Sequence, residues 1–177
     1  MKKIVCLLAG VFACFQLFSQ GVDFKSVSLK EALEQAKTQG KMVFVDCYTT
    51  WCGPCKMMTE QVFPQKEAGD FFNTHFVNVK FDMEKGEGKE LSTRFKIRAY
   101  PTFLLLEPDG KVRYRIVGGG DLEEFIGRVS RGLQEKNSLP VLDKEYTTGK
   151  MSKRRMLDLV MTLQDAYDAD RLKVVAI

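Results

Sequence analysis

An apolar run that ends close to two neighbouring cysteines limits the folds open to this chain. Residues 42–45 are all apolar and rich in β-formers, a pattern typical of a strand covered on both faces. Cys52 and Cys55 follow, and Pro54 between them fits the first turn of a helix, where its missing N–H would have no partner anyway. The segment therefore predicts a buried strand, a turn, and a helix that carries both sulfurs at its start.

Helical and strand patterns alternate around this junction. Their order is helix, strand, helix, strand, helix, strand, strand, helix, with Pro108-Asp109-Gly110 as the turn between the last two strands. Alternation of this kind predicts parallel strands joined by helical crossovers, and the closing hairpin adds an antiparallel edge. We therefore expect an α/β fold, in which a mixed central sheet carries helices on both faces.

The beginning of the chain has the pattern of an export signal. Lys2 and Lys3 precede an almost wholly apolar stretch over residues 4–18, which is shorter than the ~20 residues of a membrane-spanning helix. We predict a signal peptide over residues 1–19, export to the periplasm, and no membrane span after processing. Lipid attachment at Cys14 is the alternative, although Phe12 stands where a small residue is usual.

The last forty residues predict a helical extension. Asn137-Ser138-Leu139-Pro140 has the composition of a short linker, and apolar residues then recur at helical spacing. We expect residues 137–177 to form short helices that position partners. Deletion of residues 139–177 should leave the reduction of small disulfides intact. The final apolar run has no helix stop signal, so it either packs on the domain or begins a longer helical region that is truncated here.

Charge and composition exclude several functions. The chain has 27 Lys and Arg against 23 Asp and Glu, and its net charge of +4 is too small and dispersed to predict a nucleic-acid partner. His75 is the single histidine, which leaves no His-rich metal site. Of five cysteines, Cys6 and Cys14 fall in the predicted signal peptide, so Cys47 joins Cys52 and Cys55 in the mature chain. We expect no metal and no cofactor.

The two closely spaced cysteines predict thiol–disulfide exchange. A spacing of three residues places both sulfurs on one face of a helix. Cys52 lies at the helix N-terminus, where unpaired N–H groups and the helix dipole stabilise a thiolate, so Cys52 is the expected nucleophile. Cys55 lies one turn further in, is expected to be more buried, and would resolve the mixed disulfide.

Four alternatives to thiol–disulfide exchange remain open. A structural zinc site needs four ligands, and this chain offers one pair, one further cysteine and one distant histidine. A permanent structural bridge would close only a small loop and stabilise little. A chaperone for a soft metal ion is the stronger alternative, since thiolates suit such ions, and a non-enzymatic interaction module is the last.

Several motifs together resemble the thioredoxin family. Val45-Asp46, Trp51-Cys52-Gly53-Pro54-Cys55-Lys56, Tyr100-Pro101-Thr102-Phe103 and Val117-Gly118 match its pattern over roughly residues 40–135. Within the family, the chain is similar to exported proteins of the bacterial cell envelope. The resemblance implies a thioredoxin-like fold over residues 20–136, followed by the helical extension.

The resemblance also implies roles for individual residues. Asp46 matches the buried acid that relays the proton of Cys55, and Pro101 matches the cis-proline beside the cysteine pair. The expected substrate-binding residues surround Cys52 and are Trp51, Gly53, Pro54, Tyr100 and Gly118. Cys47 departs from the pattern and is expected to be a small buried residue or a regulatory thiol.

The function implied is a periplasmic thiol–disulfide oxidoreductase with a redox-active Cys52–Cys55 disulfide. Gly53-Pro54 between the cysteines resembles the reducing members of the family, so protein disulfides are the expected substrates and a membrane protein of unknown identity the expected electron donor. A disulfide oxidase or isomerase, or a soft-metal chaperone that uses the same pair, is the alternative.

Overall fold

The computed structural model describes residues 21–175. The predicted signal peptide, the lipidation alternative at Cys14 and the last two residues of the apolar C-terminal run lie outside the described residues. Within the described range, no helix is long and apolar enough to cross a membrane.

Four strands and eight α-helices make up the described part of the chain. The strands are β1 (Met42–Tyr48), β2 (Phe76–Asp82), β3 (Thr102–Leu106) and β4 (Val112–Val117). The helices are α1 (Leu29–Gln39), α2 (Gly53–Met57), α3 (Lys66–His75), α4 (Glu87–Arg94), α5 (Leu122–Leu133), α6 (Leu139–Thr147), α7 (Lys153–Asp165) and α8 (Ala169–Val175). A π-helical turn, Met58–Val62, continues α2, and a 3₁₀ turn, Glu135–Asn137, joins α5 to α6.

The sheet is mixed, as predicted, with the strand order β2-β1-β3-β4. β1 and β2 are parallel, whereas β3 is antiparallel to both of its neighbours, β1 and β4. The sequence predicted an antiparallel pairing only for the closing hairpin, so the antiparallel part of the sheet is larger than expected. The register explains this difference, because Asp82 at the end of β2 and Thr102 at the start of β3 both lie at the edge where β1 ends. The chain therefore does not need to cross back over the sheet between them.

Local sequence signals determine where the helices begin and end. Ser28 and Glu31 form the predicted capping box at the start of α1, and Gly40 ends that helix with a φ of 64°. The Asp121 side chain accepts a hydrogen bond from the Glu124 N–H at the start of α5. These predicted boundaries are confirmed.

Apolar side chains cover both faces of the sheet. α1 and α4 pack on one face, where Val43, Val45 and Cys47 of β1 are fully buried. α2, α3 and α5 pack on the other face, where Phe44 is surrounded by aromatic rings: Phe24, Phe63, Phe72, Phe76, Phe103 and Phe125. Full burial of one such ring contributes ~2–3 kcal/mol, so this cluster makes a large contribution to the stability of the β1–α2 junction.

The C-terminal helices form a small core of their own and also pack on the sheet. Leu142, Leu159 and Leu163 are fully buried among α6, α7 and α8. The predicted linker is not an exposed segment, because Asn137 is buried and its side chain donates to the Arg131 carbonyl. α6, α7 and α8 are therefore a packed addition to the sheet and its helices.

Candidate active site

The site lies where β1 ends and α2 begins. Cys52 is the N-cap residue of α2, and its Sγ accepts a hydrogen bond from the Cys55 N–H at 3.1 Å. Pro54 occupies the first turn, as predicted, and the π-helical turn extends the helix to Val62. The sulfur of Cys52 therefore occupies the position at which backbone N–H groups and the helix dipole favour a negative charge.

Cys52 and Cys55 form a disulfide, with their Cα atoms 5.3 Å apart. The predicted difference in burial is wrong, because Cys52 is 3% exposed and Cys55 is 4% exposed. The closed bond brings the two side chains into one environment, so burial does not distinguish the predicted nucleophile, Cys52, from the predicted resolving thiol, Cys55. Their different positions in α2 still do so, since only Cys52 is the N-cap.

Asp46 is buried on β1, six residues before Cys52. Its Oδ1 has no hydrogen-bond partner within the described residues. Burial raises the pKa of the Asp46 carboxyl from 3.8 to about 7, and the charge of Lys80, its register partner on β2, acts in the opposite direction. This carboxyl can therefore exchange a proton near neutral pH.

Pro101, the predicted cis-proline of the catalytic set, and Gly118, a predicted substrate-binding residue, lie together. The Tyr100–Pro101 peptide bond is cis, and Pro101 is buried immediately before β3. The Gly118 N–H donates to the Pro101 carbonyl at 2.9 Å. Gly118 has a φ of 83°, a conformation that favours glycine at the end of β4.

Trp51 lies beside the cysteine pair and is 64% exposed. Its ring meets the Tyr100 ring edge to face, with the centroids 5.8 Å apart. Its Nε1–H donates to both carboxylate oxygens of Glu84 at 3.0 Å. The sequence gives no indication of this role for Glu84, because Glu84 lies in a polar loop with no motif of its own, 33 residues further along the chain.

A small pocket of about 160 Å³ opens next to Cys55. Its wall contains Thr49, whose buried hydroxyl has no hydrogen-bond partner in residues 21–175, and Lys80. Gly53 and Pro54, the two residues between the cysteines, are exposed and do not line this pocket. Cys55 therefore borders a small cavity, and Thr49 and Lys80 contribute polar groups to its wall.

Cys47 is a buried free thiol on the face of the sheet that α1 and α4 cover. Side chains alternate along β1, so Asp46 lies on the opposite face. Burial raises the pKa of its thiol strongly, the neighbouring Asp46 adds to the increase, and Arg115 opposes it. A neutral, enclosed thiol fits the first of the two predicted roles, a small buried residue.

The described residues contain no group of three or more His, Cys, Asp or Glu side chains that could hold a metal ion.

Comparison with known proteins agrees with this geometry. A family model described as a thioredoxin-like domain matches residues 29–131. The solution structure of a proposed disulphide-isomerase from Bacteroides thetaiotaomicron is 47% identical, covers 65% of this chain and 95% of its own, and superposes with a TM-score of 0.60.

Two curated relatives match the same part of the chain. The thiol:disulfide interchange protein DsbD of Pseudomonas fluorescens is 33% identical over 103 residues, which are 56% of this chain but only 18% of DsbD. Thioredoxin AMT13 of Alternaria alternata is 35% identical over 89 residues, half of this chain and 70% of its own length. The resemblance seen in the motifs is confirmed. The chain therefore belongs to the thioredoxin-like domain family, and residues 29–131 form a domain of the thiol–disulfide oxidoreductase type.

Proposed function

We propose that the protein reduces disulfides of other proteins in the periplasm, by dithiol–disulfide exchange through Cys52 and Cys55. The observation that supports this most directly is the position of the Cys52 sulfur at the N-cap of α2, where it accepts the Cys55 N–H. A thiolate formed there keeps that hydrogen bond and faces the positive end of the helix.

The first step is attack by the Cys52 thiolate on one sulfur of the substrate disulfide. A Cys52–substrate bond forms, the substrate S–S bond breaks, and the other substrate sulfur leaves as a thiolate that takes a proton from solvent. The substrate gains one thiol and stays attached to the protein.

The second step releases the substrate. The Cys55 thiol loses its proton, attacks the Cys52 sulfur, and displaces the second substrate sulfur, so two electrons have passed from the protein dithiol to the substrate. We assign the proton to Asp46, because a carboxyl with a pKa of about 7 can accept it near neutral pH. The product is the closed disulfide seen in the structure.

Substrate binding is assigned to the surface around Cys52. The exposed Trp51 ring and the Tyr100 ring provide apolar area, and the backbone at Tyr100, before the cis peptide bond, can pair with an extended segment of the substrate. Gly118 lies next to this loop, and Gly53 with Pro54 completes the surface on the helix side.

The compartment and the electron donor are part of the same proposal. The signal-like pattern over residues 1–19 supports export, and a relative is named a thiol:disulfide interchange protein. In an oxidising compartment the closed disulfide needs a dithiol donor to reopen it, and we propose a membrane protein in that role.

Trapping of the intermediate tests the proposed activity. A Cys55→Ser variant cannot complete the second step, so it should accumulate a mixed disulfide with insulin that dithiothreitol releases. The matched Cys52→Ser variant should form none. Equal trapping by both variants, or trapping by neither, would overturn the proposal.

Isomerisation is the second candidate, because the 47% identical relative is a proposed disulphide-isomerase. Incubation of the reduced protein with scrambled ribonuclease separates the two activities. A reductase becomes oxidised while free thiols appear in the ribonuclease. An isomerase restores ribonuclease activity without a change in the number of substrate disulfides.

A further inference from the structure

Asp165, at the C-terminal end of α7, is a buried carboxylate held against the thioredoxin-like domain. Its Oδ1 accepts the Nε–H of Arg128 at 2.8 Å, and its Oδ2 accepts the Tyr114 hydroxyl at 2.8 Å and an Arg131 N–H at 2.9 Å. Arg128 lies on α5 and Tyr114 on β4, and both are buried. One carboxylate from the C-terminal helices therefore bonds to two elements of the domain.

Arg128 connects this carboxylate to the active site. Its guanidinium donates to the Val117 carbonyl at 2.8 Å and to the Gly118 carbonyl at 3.3 Å. The Val117 carbonyl and the Gly118 N–H belong to the same planar peptide group, and that N–H donates to the Pro101 carbonyl. Arg128 therefore holds one end of the peptide plane whose other end bonds to Pro101.

The charge of Asp165 makes this arrangement stable. A buried guanidinium without a counterion is costly, so Arg128 alone would favour an orientation toward solvent. The planar fork of arginine can reach a carboxylate and two carbonyls at once, which a lysine ammonium cannot do. Removal of the Asp165 charge should therefore release the Val117–Gly118 peptide as well.

We propose that Asp165 and Arg128 are positioning residues for substrate binding, and that the C-terminal helices thereby set the geometry of the loop around Pro101. Neither residue touches the cysteines, so chemistry at Cys52 continues without them. The proposal rests on the proposed function, because it assigns substrate contact to this loop. It also changes the expected role of the extension, from positioning partners to holding the site that binds them.

The test compares Asp165→Asn with Glu145→Gln in the full chain. Glu145 is a matched control, because it pairs with Arg155 within the C-terminal helices, in an ion pair that includes no group of the domain. Asp165→Asn should raise the KM for insulin about tenfold with kcat within about twofold, as expected for the loss of uniform binding. Reduction of 5,5′-dithiobis(2-nitrobenzoate), which is too small to need the loop, should stay within about twofold in both variants.

Hydrogen exchange of the Gly118 amide gives a readout that is independent of activity. It should become at least about tenfold faster in Asp165→Asn and stay unchanged in Glu145→Gln. Arg128→Lys serves as a second variant, if Asp165→Asn is too unstable, and should show the same pattern. Wild-type exchange at Gly118 with a wild-type KM for insulin in either folded variant would overturn the inference. A wild-type protein that reduces neither substrate would instead overturn the proposed function, while the exchange measurement would still test the contact.

Discussion

Replacement of the buried acid Asp46 by asparagine should remove a pH dependence from the stability of the oxidised protein. Burial raises the pKa of the Asp46 carboxyl from 3.8 to about 7, a change of about three units at ~1.4 kcal/mol each. The unfolded chain loses this proton first as the pH rises, so the folded state is destabilised progressively between pH 4 and 7. The full effect is about 4 kcal/mol above pH 7, and roughly 2–3 kcal/mol of it falls between pH 5 and 8.

Urea unfolding of both proteins at pH 5 and pH 8 measures this effect. The free energy of unfolding of the Asp46→Asn variant, relative to wild type, should increase by those 2–3 kcal/mol from pH 5 to pH 8, with an unchanged m value. Asp170→Asn, which removes an exposed carboxylate of α8, is the control and should show no such trend. A difference between Asp46→Asn and wild type that is the same at both pH values would refute the assignment of a raised pKa to this carboxyl.

Four further substitutions test the surroundings of the site. Cys47→Ala should keep the rate of insulin reduction within about twofold of wild type. In the folded wild-type protein, the Cys47 thiol should resist iodoacetamide at pH 8, because it is buried and neutral. Rapid labelling of that thiol would contradict this. Trp51→Ala should raise the KM for insulin about tenfold, while the melting temperature changes little because the ring is exposed. Glu84→Gln should raise the KM by a smaller factor. An unchanged KM in Trp51→Ala would exclude Trp51 from substrate binding. Gly119→Ala should lower the free energy of unfolding by ~1–3 kcal/mol, because the added Cβ would lie 2.8 Å from the Met58 sulfur. An unchanged free energy of unfolding in urea would show that the Met58 side chain moves aside.

The fold could be predicted well from the sequence because its signals are local. Capping at Ser28, the turn at Pro108-Asp109-Gly110 and the buried runs at residues 42–45 and 102–106 each depend on neighbouring residues, and all lie where expected. The direction of β3 relative to β1 could not be predicted in this way, because it depends on which edge of the sheet the chain reaches after α4. That is a property of the assembled sheet and not of any short segment.

The chemistry of the site could be predicted only in part. Cys52 and Cys55 are defined by their spacing, and their pairing is seen in the structure. Glu84 and Asp165 could not be predicted, because each contributes through a contact with a residue more than thirty positions away. A single aspartate in a helical tail carries no local sign that it neutralises a buried arginine on α5.

The proposed mechanism depends on the stabilisation of a Cys52 thiolate by backbone groups at the start of α2. The most direct measurement is the rate of iodoacetamide alkylation as a function of pH, in a reduced Cys47→Ala/Cys55→Ser variant of residues 20–177. Cys52 is the only cysteine in that variant, and the backbone N–H of residue 55 is kept. We expect a midpoint at least ~1 pH unit below the ~8.5 of a free cysteine. A midpoint at or above that value would contradict the proposed mechanism.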